Sequence, residues 1–129
     1  MYLIDTNIII WLIRGDKKYE EIIQRLKFKA PLSISSVTVA EVYKNIFPTE
    51  FIETENVLSK FEIWDVTYTI AKQAGLYWKD YVKRFQKLHI IDCIIAATAQ
   101  EHDLTLLTLN TRHFPMPDIK VFDPLTKSS

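Results

Sequence analysis

The chain has 129 residues, enough for one hydrophobic core and too few for two, so a single domain over residues 1–129 is expected. With 48% apolar and 25% charged residues and only two glycines, it reads as a globular protein and not as a disordered or fibrous one. Sixteen basic residues balance sixteen acidic ones, so no overall cationic excess draws the chain to nucleic acid, although charge segregated on one face still could.

The single cysteine, Cys93, excludes an intramolecular disulfide and a cysteine-based zinc site. It lies in the apolar run at residues 90–97 and reads as a buried structural thiol. The N-terminus lacks the charged stretch, apolar core and cleavage site of a signal peptide. No apolar run approaches the roughly 20 residues needed to cross a bilayer. A cytoplasmic protein with no membrane partner is therefore expected.

Tyr2, Leu3 and Ile4 form a short β-prone run that stops at Asp5, and residues 7–13 follow as a helix. Within residues 17–29, Tyr19, Ile22, Ile23 and Leu26 recur at helical spacing with charges between them. Pro31 ends that helix, and residues 32–35 form a second strand. Ser36 or Thr38 can cap the next helix, whose apolar stripe is Val39, Val42, Tyr43 and Ile46. Pro48 opens a further helix to about residue 60, and residues 61–66 alternate as a third strand. Long helices are expected over residues 67–86 and 91–102, with strands at residues 104–109 and 119–122. The tail from about residue 125 to 129 is expected to be loose. This alternation predicts an α/β fold: a three-layer α/β/α sandwich around a mostly parallel sheet of about four to five strands. Sites in such sheets form at the carboxyl ends of the strands.

Three acids meet that demand. Asp5 directly follows the first strand, Glu41 lies one turn into the helix after the second, and Asp92 opens the helix at residues 91–102. Asp92 interrupts an apolar run, with Ile90 and Ile91 before it and Cys93, Ile94 and Ile95 after it, and Asp5 has equally apolar neighbours. Charged groups in such surroundings are unfavourable unless paired or metal-bound. Converging carboxylates suit a hard divalent cation, Mg²⁺ or Mn²⁺, which serves phosphoryl chemistry. Each acid also has a plainer reading. Asp5 and Asp92 could be helix caps, and Glu41 a surface partner of Lys44 or Asn45. On the residues alone these alternatives stay open.

Four segments, in order, resemble the motifs of PIN domains. Leu3-Ile4-Asp5-Thr6-Asn7 is similar to the opening motif, and Ser36-Val37-Thr38-Val39-Ala40-Glu41-Val42 to the second. Ile91-Asp92-Cys93-Ile94-Ile95-Ala96-Ala97-Thr98-Ala99 resembles the third. Leu107-Thr108-Leu109-Asn110-Thr111-Arg112-His113-Phe114 resembles the T-x-N-x-x-x-F stretch of the VapC-like toxin branch, and residues 119–124 its closing strand. The resemblance implies a PIN-like fold and a metal-dependent endoribonuclease, hydrolysing RNA phosphodiesters to 5′-phosphate and 3′-hydroxyl ends. Asp5, Glu41 and Asp92 would be the catalytic, metal-binding acids. Asn110 would be a further oxygen donor, standing where many PIN domains carry a fourth acid. Thr6, Asn7 and Thr108 would support the acids or orient waters.

For the substrate, Lys79, Lys83 and Lys87 recur every four residues and Tyr77, Tyr81 and Phe85 at the same interval on another side. Lys83, Lys87, Arg112 and His113 are the candidate RNA contacts, although a solvated lysine face over an aromatic core face explains the helix equally well. The resemblance further implies a cognate antitoxin and a homodimer, with the helices at residues 17–29 and 48–60 as possible contact faces. An RNA-processing PIN nuclease, or an inactive PIN-fold binding module, is the alternative. A phosphoacceptor receiver would want paired acids after the first strand and a late lysine, and a dehalogenase-like phosphatase would want aspartate where Asn7 stands. Neither pattern is met.

Overall fold

A computed structural model describes residues 1–125, so the tail expected to be loose lies, from residue 126 onward, outside the described residues. Among the described residues there are five strands: β1 (Tyr2–Ile4), β2 (Leu32–Ser35), β3 (Glu62–Trp64), β4 (Thr105–Leu107) and β5 (Lys120–Phe122). Six α-helices connect them: α1 (Thr6–Ile13), α2 (Lys17–Lys27), α3 (Ser36–Asn45), α4 (Phe51–Leu58), α5 (Tyr68–Tyr81) and α6 (Ile90–Glu101). The strands lie in the order β3-β2-β1-β4-β5, and every pair is parallel.

The layering follows from strand alternation. Successive side chains point to opposite faces, so Leu3 and Leu106 join the core under α5 and α6, while Ile4 and Leu107 join the core under α1 to α4. All four side chains are fully buried, each contributing about 1.5–3 kcal/mol relative to an exposed state. Helices on both faces of the parallel sheet make the expected three-layer sandwich.

The turns explain where the elements stop. Gly15, at φ +76°, makes the left-handed step between α1 and α2 that a side chain would strain, and Asp16 then caps α2 through Lys18 N–H (3.0 Å). Ser35, and not Ser36 or Thr38, caps α3 by accepting from Val37 N–H. Ser36 instead accepts from Val66 N–H, and Thr38 turns into the interior. Pro48 opens a single 3₁₀ turn, Pro48–Glu50, before α4 begins. The helix expected to run to residue 86 ends at Tyr81, because the chain bends to bury Leu88. Lys83 and Lys87 therefore leave the helix, and the regular lysine stripe is broken. The aromatic series survives the bend: Tyr77, Tyr81 and Phe85 pack in sequence with centroids 6.4 Å apart.

Cys93 is fully buried, and burial pushes its thiol up to about 11, as a structural cysteine would be. Among the described residues no helix is long and apolar enough to cross a membrane.

Candidate active site

The sheet order reverses at β1. The chain moves from β1 through β2 to β3 on one side, then returns to place β4 and β5 on the other. The carboxyl ends of β1 and β4 meet at this switch point, the place at which open α/β sheets bind ligands. Asp5 leaves the end of β1 and Thr108 the end of β4.

Asp5 is 7% exposed and holds two partners. Its Oδ1 accepts from Thr6 N–H at 2.8 Å, so it caps α1, and its Oδ2 accepts from Thr108 Oγ1 at 2.7 Å. Capping thus describes one carboxylate oxygen, and the second is committed across the switch point. Thr108 also accepts from Asn110 N–H at 3.0 Å, which bends the chain out of β4 earlier than its apolar run suggests. Burial raises the Asp5 pKa, and the Thr108 and Thr6 hydrogen bonds work against that rise.

Glu41 is drawn in by α1. Thr6 Oγ1 lies 2.5 Å from Glu41 Oε1 and 3.1 Å from Thr38 Oγ1. A carboxylate only accepts, so the Thr6 proton goes to Glu41. Lys44 and Asn45 are not side-chain partners of this carboxylate, since Asn45 Nδ2 donates to the Glu41 backbone carbonyl. Asp92 sits at the third position of α6 and is not its cap residue, a place held by His89. Its Oδ2 accepts from His89 N–H at 3.4 Å and lies 3.8 Å from His113 Nδ1. Burial raises the Asp92 pKa, the Asp5 charge adds to the rise, and His113 opposes it.

Asp5, Glu41, Asp92, Thr6 and Thr108 therefore form one hydrogen-bonded or electrostatically linked group, with Asn110 attached through its backbone. Asn7 points to the exposed side of α1. A cleft of about 310 Å³ adjoins His113, lined by Phe85, Gln86, Lys87, Leu88, Arg112 and His113. Lys83 is not among its walls. A larger cleft of about 480 Å³, walled by α2 and α4, contains none of these groups and is remote from the acids. Thr38 and His89 are the polar groups whose part the sequence reading missed. Thr38 stands one turn before Glu41 on the same helix face, and His89 stands at capping-box spacing from Asp92.

The oxygen-rich donor set suits Mg²⁺ or Mn²⁺ and not a soft metal. Among the described residues no three His, Cys, Asp or Glu side chains form a ready-made metal cage. Mg²⁺ is ordinarily held by one or two carboxylates, with waters and substrate phosphate completing its shell.

The sequence profile of the PIN domain matches residues 2–119. Ribonuclease VapC10 of Mycobacterium tuberculosis is 34% identical over 116 residues, spanning 90% of this chain and 87% of that protein. Ribonuclease VapC of Haemophilus influenzae is 32% identical over 119 residues, spanning 88% and 89%. Among solved structures, a chain of a toxin–antitoxin complex from Klebsiella pneumoniae matches with a TM-score of 0.74 at 32% identity, over 96% of this chain and 98% of that one. A chain of DNA-bound VapBC from Salmonella typhimurium matches with a TM-score of 0.80 at 25% identity, over 95% and 97%.

Proposed function

The chain belongs to the PIN-domain family, and from that premise we propose that it is a metal-dependent endoribonuclease, the toxin of a toxin–antitoxin pair. The observation that carries the reading is the pairing of two raised-pKa carboxylates, Asp5 and Asp92, at the switch point of a parallel sheet. Ribonuclease relatives at 32–34% identity and a toxin–antitoxin complex at 32% identity support the substrate and the antitoxin partner. Self-association is the second partnership that the family resemblance implies.

Asp5 and Asp92, with Glu41 and Asn110 as further oxygen donors, would hold Mg²⁺ or Mn²⁺, which when bound supplies water activation and neutralises charge on the phosphate. The chain's own residues set the geometry. Thr108 Oγ1–H and Thr6 N–H hold one oxygen of Asp5 each, and every carboxylate oxygen keeps a further lone pair for a metal. The Thr6 hydroxyl orients Glu41, whose free oxygen can align an attacking water. His113, beside Asp92, can offset the negative charge of a bound phosphate when protonated.

A PIN-fold binding module without activity is the second reading, favoured by Asn110 where a fourth acid would stand. Cleavage of a structured RNA pool with Mg²⁺, Mn²⁺ or EDTA, beside a folded Asp92→Asn variant, separates the two. Metal-dependent cleavage lost in Asp92→Asn establishes the nuclease. Absence of cleavage by folded, partner-free protein with either metal favours the binding module.

A further inference from the structure

The cleft beside Asp92 has a chemistry that the acids do not explain. Three of its six lining residues, Lys87, Arg112 and His113, are basic and none is acidic, in a chain whose charges balance overall. Neither Lys87 nor Arg112 has an ion-pair partner among the described residues, so both cations can meet an anion brought from outside. Its volume of about 310 Å³ falls at the small end of the range for ligand pockets.

The walls are held in place. Phe85 is 38% exposed, its ring backed by Tyr81 at 6.4 Å and by the Arg84 guanidinium at 6.0 Å from its centroid. Its N–H donates to the Tyr81 carbonyl and its carbonyl accepts from Leu88 N–H, both at 3.0 Å, and buried Leu88 anchors the bend. Opposite, the single 3₁₀ turn Thr111–His113 is closed by His113 N–H donating to the Asn110 carbonyl at 2.9 Å. His113 then joins this cleft to the acids, 3.8 Å from Asp92. An aromatic face held by its neighbours, flanked by unpaired cations, matches a base and its phosphates.

Resting on the ribonuclease reading, we propose that this cleft is a nucleotide subsite beside the scissile phosphate. An unpaired base of single-stranded RNA stacks on Phe85, Lys87 and Arg112 grip the adjoining phosphates, and the Gln86 amide meets the base edge. A base within a duplex is already stacked and paired, so the subsite selects loops and single strands.

The test uses the full chain carrying Asp92→Asn, so that binding of a fluorescent single-stranded RNA is read without cleavage. Adding Phe85→Ala weakens binding roughly ten-fold, from the usual effect of losing one base–aromatic stack, and Phe85→Trp restores it. Lys87→Ala with Arg112→Ala lowers the slope of log Kd against log salt by about 1.4, two single-strand phosphate contacts. The same RNA annealed to its complement binds more weakly and is indifferent to Phe85→Ala. Unchanged affinity in Phe85→Ala, loss shared by Phe85→Trp, an unmoved salt slope, or equal binding of the duplex would each overturn the subsite. Failure of the ribonuclease reading shows separately, as absence of cleavage by the unsubstituted protein with either metal.

Discussion

Thr108→Val isolates the contribution of one hydroxyl to the acidic centre. Valine nearly matches threonine in shape, and position 108 is fully buried, so the substitution removes hydrogen bonds and little volume. Asp5 then keeps only the Thr6 N–H, and Asn110 N–H loses its acceptor. A hydrogen bond to a charged group is worth about 1.5–3 kcal/mol, so urea denaturation at neutral pH without metal should show a loss of that order. The hydroxyl favours the ionised form of Asp5, so the loss should shrink as pH falls and the carboxyl protonates. Outer partners of metal ligands typically matter by 10–100-fold in affinity or activity, so the Mn²⁺ concentration giving half-maximal RNA cleavage should rise by about that factor. A destabilisation that is the same at pH 4 and pH 7, with unchanged Mn²⁺ dependence, would refute this reasoning. It would mean that Thr108 serves packing and not the carboxylate.

Asp92→Asn should raise the stability of metal-free protein. Its folded pKa lies above the unfolded value, so its favourable contribution is complete below the ordinary carboxylate range and fades as pH rises through the folded value. The advantage of the variant over the parent should therefore grow from pH 4 to pH 7 and diminish when Mn²⁺ is added, in melts followed by circular dichroism. Thr6→Val should slow cleavage by freeing Glu41, and should lower stability by about 1–3 kcal/mol because Thr38 is left without its partner. Leu107→Ala, at a fully buried site beneath α1 to α4, should lose about 2–5 kcal/mol in denaturant titration. Cys93 should resist iodoacetamide at pH 8 in the native protein and react once urea unfolds it, since the thiol is buried and its pKa is about 11.

Much of this architecture was legible in the residues. The β-prone run at residues 2–4, the helical spacing in residues 17–29 and the alternation of strands with helices gave the layers, since those signals come from local pattern. The end of α5 was not legible, because residues 82–87 contain no helix breaker and the bend that follows serves a tertiary contact, the burial of Leu88. Ser35 was passed over as a cap because its neighbour Ser36 has the same chemistry, and which hydroxyl turns back depends on where β2 ends. Asp5 and Asp92 stood out as charges within apolar runs and Glu41 by its place one turn into the helix after β2, and the resemblance to a family joined the three into one group. The bond from Thr108 to Asp5 links groups 103 positions apart and has no local signal at all.

That long separation also governs when the centre can exist. During synthesis Asp5 leaves the ribosome well before Thr108, and after β3 the chain must pass over β2 and β1 to place β4 before the two residues can meet. Pairing of β1 with β4 closes a loop of about a hundred residues, a late and entropically unfavourable event in folding. Nascent or truncated chains that stop short of β4 therefore carry acids without the centre that organises them. Whatever activity the acids support is therefore withheld until β4 has been made and paired with β1.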